Sequence, residues 1–139
     1  MRSVISAIGT AVPENKIPQK EIIEFMANAH GFEGKDKTRL KALYRASGIQ
    51  TRHSVIQDYS SLNMEDWIFH PKSKDLSPFP TTQQRSVLYK NEAPNLAMQA
   101  VRNCIQKSNV KLNEITHLIT ISCTGMYAPG LDIDLGHGL

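Results

Sequence analysis

Apolar residues change spacing along the chain, and each change marks an element. Val4, Ile5, Ala7 and Ile8 occupy both parities of residues 3–9, the pattern of a strand covered on both faces, and Gly9 and Pro13 end it. From Pro18 the spacing becomes helical, with Ile22, Met26 and Ala29 on one side and Gly31 as a stop. A second helix is predicted over 38–47, with Leu40, Leu43 and Tyr44 on its apolar side and Gly48 as its C-terminal signal. Residues 58–90 carry no period. Pro71, Pro78, Pro80 and several serines predict loops with a few helical turns, and a stretch of this kind more often serves a site or interface than a core. The clearest helix is predicted over 92–107, with Pro94 in its first turn and Ala97, Ala100, Val101, Cys104 and Ile105 as its stripe. Cys104 reads there as a small core residue. Residues 118–123, Leu-Ile-Thr-Ile-Ser-Cys, predict a second strand; a helical pattern opens at Leu131 and meets Gly136 and Gly138.

Strand, helices, strand is an α/β order, with a right-handed crossover if the strands are parallel. Residues 3–9 and 118–123 are therefore expected in one sheet, with the 92–107 helix packed on a face. Two strands leave an unpaired edge and an uncovered apolar face, so a homo-oligomer is expected.

The 139 residues fit one domain, 1–139, with 58–90 as an irregular insertion within it. A net charge of +3 is too small for the basic footprint of a nucleic-acid-binding surface. The positive charge is local: Lys35, Lys37, Arg39, Lys41, Arg45 and Arg52 face only Asp36 between residues 35 and 52. Such a run suits a solvated helix face or an anion site equally. Cys104 and Cys123 form no CxxC pair and no cluster with histidine, so neither a zinc site nor a disulfide framework is expected, and a reduced cytoplasmic setting is the simplest reading. No apolar run approaches the roughly 18 residues of a membrane span.

Three segments carry a resemblance. Residues 7–14, Ala-Ile-Gly-Thr-Ala-Val-Pro-Glu, are similar to the AxGTAxP opening of chalcone-synthase-like enzymes. Residues 47–54, Ser-Gly-Ile-Gln-Thr-Arg-His-Ser, resemble the SGIxxRH segment of bacterial members. Ile-Thr-His-Leu-Ile at 115–119, leading through Cys123-Thr124-Gly125 to Ala128-Pro129-Gly130, resembles the ITHLI…TSG…PG strand and loop. Together, in order, they resemble the N-terminal portion of a type III polyketide synthase, over essentially the whole chain and most loosely in its middle.

The resemblance implies a partial thiolase-like α/β fold with an incomplete sheet and covering helices. It also implies an acyltransferase that extends a coenzyme A thioester starter with malonyl units as a homodimer. The family's Cys, His and Asn lie after this stretch, so no catalytic residue is expected here and the chain alone is expected to be inactive. The family's first basic helix holds coenzyme A phosphates. Arg39 takes one of those positions and Ala42 and Ala46 the other two, with Lys41 and Arg45 as neighbouring substitutes and Arg52 following the helix. Cys123 and Thr124 align with residues lining the acyl cavity. Ala128 stands where plant members reach across the dimer. Beyond Leu135 the family continues its helix, whereas two glycines should weaken it by about 1 kcal/mol each. The rival readings are a ketoacyl-carrier-protein synthase III-like fragment, a non-catalytic dimerisation remnant, and a small hydrolase using Cys123 with His117 or His53.

Overall fold

A computed structural model of the chain describes residues 3–139; Arg2, just before the first apolar run, lies outside them. The described chain forms two compact units, residues 13–81 and residues 3–12 with 82–139.

In the 13–81 unit a short antiparallel pair sets the geometry. Strand β1 (Asn15–Pro18) pairs with β2 (Thr51–Ser54), with Ile17 opposite Arg52 and Pro18 opposite Thr51. Neither strand is predicted by the sequence. Ile17 is buried, and the His53 ring bonds the Pro13 carbonyl at 2.7 Å. Pro18 ends the ladder and opens helix α1 (Gln19–Ala29), as expected. Ile22, Ile23, Phe25, Ala27 and Ala29 are its buried side. Gly31, at φ +62°, ends it in a conformation that glycine adopts without penalty.

Helix α2 (Gly34–Ala46) begins four residues before the expected start at Thr38, whose hydroxyl donates back to the Gly34 carbonyl at 2.9 Å. Its packing side is also turned from the expected one. Leu40 and Tyr44 are half-buried but Leu43 is exposed, and the half-buried Lys37 and Lys41 complete the face with their alkyl stems. Gly48, at φ +68°, ends this run as expected.

Residues 57–76 carry three short 3₁₀ turns, Gln57–Ser60, Met64–Asp66 and Lys74–Leu76. The expectation that this irregular stretch would serve a site or interface rather than the core is corrected, because it supplies two of the four residues of the buried aromatic cluster. Trp67 and Leu76 bury themselves against Phe25 and Ala29, with Tyr59 packed alongside. Phe25 meets Tyr59 edge-on at 5.1 Å and Trp67 at 4.8 Å. Asp58, only 2% exposed, collects four hydrogen bonds, from the N–H groups of Ile68, Phe69 and His70 at 2.7–2.9 Å and from the His70 ring at 3.0 Å. Burial pushes its carboxyl up, but these donors outweigh burial and hold it below the usual carboxylate range.

The other unit is built on α3 (Thr82–Lys107), which starts ten residues before the predicted helix and so claims the end of the stretch expected to be irregular. Pro94 therefore lies inside the helix rather than in its first turn. The predicted stripe is half-buried throughout, Cys104 included. Residues 7–10 run along it: Asn103 donates to the Thr10 carbonyl at 2.9 Å, and the Cys104 thiol points to the Ala7 carbonyl at 3.5 Å. A Cβ on Gly9 would enter the backbone of α3 at Ala100 and Cys104, so only glycine permits this approach. Helix α4 (Leu131–Gly138) packs on α3 and includes both Gly136 and Gly138.

The two predicted strands, 3–9 and 118–123, are not strands. Neither pairs with another backbone, and Val4, Ile5, Ile119 and Ile121 are more than 80% exposed. They share no sheet; the 7–10 portion instead makes side-chain-to-backbone bonds with a helix. The only described sheet is β1–β2.

Candidate functional site

The basic residues singled out by the sequence fall into separate places within the 13–81 unit. Lys41 and Arg45, four apart on α2, face one side, toward a cleft against α1 that also contains Gln19, Ile23 and Tyr44. Lys41 is bound to Glu24 of α1 at 3.0 Å, and Lys37 to the same carboxylate at 2.7 Å. Hydrogen bonds from Lys37 and then Lys41 hold Glu24 below the usual carboxylate range. Arg39 projects elsewhere, four-fifths exposed, with only Asp36 at 3.3 Å beside it. Arg52 is exposed on β2. Arg45 and Arg52 make no ion pair among the described residues. The four cations thus do not converge on one point: Lys41 and Arg45 share the α1–α2 cleft, while Arg39 and Arg52 stay at the surface.

Cys123 and Thr124 lie in the other unit, on the exposed loop between the 115–122 run and α4. The Cys123 sulfur has the Thr124 hydroxyl at 3.9 Å, and His117 is engaged by the Thr116 hydroxyl at 2.9 Å. Cys123 opens no helix, and among the described residues no imidazole is bonded to it. Two contacts that sequence reasoning missed fix this loop. Gly125 lies against the Tyr89 ring so closely that a Cβ would collide with it. Tyr127 donates to Asp134 of α4 at 2.5 Å, with Tyr89 edge-on at 6.1 Å. Burial and then the Asp134 bond push the Tyr127 hydroxyl up to about 12. Tyr89 fell in the stretch without a period, and nothing in the sequence marked either contact.

Among the described residues no three His, Cys, Asp or Glu side chains are grouped to hold a metal ion, and no helix is long and apolar enough to cross a membrane.

Residues 2–139 match the family of chalcone and stilbene synthases, N-terminal domain. Among curated relatives, the chain is 26% identical over 129 residues to type III polyketide synthase pspB of Penicillium soppii, covering 93% of this chain and 30% of that protein. It is 25% identical over 133 residues to the 1,3,6,8-tetrahydroxynaphthalene synthase of Streptomyces peucetius, covering 94% of this chain and 31% of that one. It superimposes on PKS-I from the brown alga Ectocarpus siliculosus with a TM-score of 0.82 at 26% identity, over 98% of this chain and 36% of that chain. The chain thus spans about a third of the length of the relatives it matches. The helices, the β1–β2 pair and the glycine-fitted loop form a partial thiolase-like α/β fold, and the chain belongs to the chalcone and stilbene synthase family, in which it corresponds to the N-terminal domain.

Proposed function

We propose that this chain contributes the N-terminal part of an acyltransferase that condenses an acyl-coenzyme A thioester with malonyl-coenzyme A, and that it does not catalyse that reaction by itself. The family match over residues 2–139 carries the first half of this reading. The second half rests on the thiols. Acyl transfer to cysteine needs a thiolate activated by a base, a cationic neighbour or a helix N-terminus. Cys123 has only the Thr124 hydroxyl beside it, and Cys104 lies within α3 against the Ala7 carbonyl. Incubating the purified chain with acetyl-coenzyme A and malonyl-coenzyme A should give no acylated protein and no ketide product by mass spectrometry, and Cys123→Ala should change nothing. An acyl adduct on Cys123 together with pyrone products, both lost in that variant, would overturn the reading.

Of the four cations that the resemblance offers to coenzyme A, Arg39, Lys41, Arg45 and Arg52, this reading keeps Arg39 and Arg52, the two that do not line the α1–α2 cleft. Exposed pairs contribute only about 0.2–1 kcal/mol each. Arg39→Ala should therefore weaken coenzyme A binding by roughly 1.4- to fivefold at low ionic strength, and more than Lys35→Ala does. The difference should shrink once salt shortens the screening length to about 8 Å. Calorimetric titration at two salt concentrations checks this, and equal effects of the two variants would reduce the run to a solvated helix face. Homodimerisation and a cytoplasmic location are part of the same proposal; the exposed apolar runs at 3–9 and 118–123 support association.

A further inference from the structure

We propose that the cleft between α1 and α2 is a binding site for a small carboxylate on an apolar ring that also carries a hydroxyl group, distinct from the coenzyme A reading above. The cleft is built by covalent and hydrogen-bonded constraint. β1 runs directly into α1, α2 leads into β2, and the β1–β2 ladder forces the helices side by side. The first residue of α1 is tied across the gap by the Gln19 N–H to the Gln50 carbonyl at 2.8 Å. The cleft, open to solvent on one side, has a volume of about 280 Å³. That is a small pocket, at the lower end of the roughly 300–1,000 Å³ of ligand sites, and suits a one-ring molecule.

Three features specify the ligand. The deepest lining residues are Gln19 and Ile23, 6% and 8% exposed, and the Gln19 Oε1 is sealed with no hydrogen-bond partner. A buried acceptor without a donor is destabilising and rare in folded proteins. Rotation of the terminal amide, a soft torsion, presents it to a ligand hydroxyl. The rim is positive. Glu24, the cleft's one carboxylate, is already held by Lys37 and Lys41, whereas Lys20 and Arg45 have no ion-pair partner among the described residues. That surplus selects an anion, and the Arg45 guanidinium suits the two oxygens of a carboxylate. Tyr44 and Ile49 also line the cleft and offer apolar surface for a ring.

The probe is 4-hydroxybenzoate, titrated into the full chain by NMR, with benzoate, phenol and inorganic phosphate as comparators. It should bind with shifts centred on the Gln19 side-chain amide, Tyr44 and Arg45, and at least about tenfold more tightly than any comparator, as expected when a buried polar group is matched. Arg45→Gln should weaken it about fivefold or more. Gln19→Met should erase the preference over benzoate while raising the melting temperature, because the unmatched acceptor is gone. Lys35→Ala should leave binding unchanged, and excess coenzyme A should not displace the probe. Should Gln19→Met fail to fold, the rim variant Arg45→Gln still decides. Equal affinity for benzoate and 4-hydroxybenzoate, indifference to Arg45→Gln, displacement by coenzyme A, or no binding at all would each overturn the assignment.

Discussion

Gly9→Val is expected to detach residues 7–10 from α3 and to unlock Cys104. The atoms that a Cβ would meet at this position are backbone, Ala100 O and Cys104 N and Cα, and an intact helix cannot swing its backbone aside as it would a side-chain tip. Relief has to come from the 7–10 segment, which then loses the Asn103 bond to Thr10 and the Cys104 contact with Ala7. Overpacking costs about 1–3 kcal/mol. With the two lost contacts the change should approach the upper end or exceed it. Thiol labelling in a Cys123→Ser background reads it directly: Cys104 is half-buried in the parent and should react at least about tenfold faster in the Gly9→Val chain, since 1.4 kcal/mol of opening free energy is already a factor of ten. Gly9→Ala should give a smaller change of the same sign. An unchanged rate in both would mean that Gly9 does not hold the segment on the helix.

Asp58→Ala should cost the 13–81 unit on the order of 3 kcal/mol, because three backbone N–H groups and the His70 ring lose a charged acceptor in a buried turn. Asp58→Asn should be intermediate, retaining one carbonyl acceptor and no charge. The chain's single tryptophan, Trp67, lies nine residues away in the same core, so its fluorescence in a urea titration reports this unit. The pH dependence has a definite sign. The folded carboxyl lies below its ordinary value of about 3.9. Its stabilisation is therefore complete above that value and is lost as pH falls through the lower folded value, when the carboxylate is protonated and gives up its charge and part of its acceptor capacity. The parent should lose stability in acid over that window, whereas Asp58→Ala should lose less, keeping only the slope that Glu24 contributes through its bonds with Lys37 and Lys41. A midpoint in the alanine variant matching the parent at neutral pH would show that the turn is held by packing alone.

Much of this arrangement can be read from residues, and the parts that cannot have physical reasons. α1 and α2 announce themselves by period and by Gly31 and Gly48, whose positive φ angles are the stops that glycine supplies. The division of the basic run was also available: residues 41 and 45 are one turn apart and face together, while 39 does not. The strands are another matter. Apolar side chains on both parities describe what residues 3–9 and 118–123 would bury, but a strand exists only through a neighbouring backbone, and neither run has one here. Conversely, Asn-Lys-Ile-Pro and Thr-Arg-His-Ser are poor strands by composition and pair through tertiary context, the first leading into α1 and the second leaving α2. The early start of α3 was hidden by Pro94, which usually marks a first turn but here occupies the interior. The unmatched Gln19 oxygen is a tertiary fact with no sequence signature.

Pro94 also has a mechanical consequence. A proline has no N–H to give, so the carbonyl four residues back, that of Lys90, lacks its helical bond, and the ring crowds the same turn. Bending stiffness is therefore lowest near the middle of α3. On one side stands Tyr89, against the Gly125 loop that carries Cys123 and Thr124; on the other stand Ala100, Asn103 and Cys104, which hold residues 7–10. α3 is one continuous helix, and the missing bond makes Pro94 the point at which it should bend first, so a displacement of the cysteine-bearing loop should reach the segment docked on the far arm only in part.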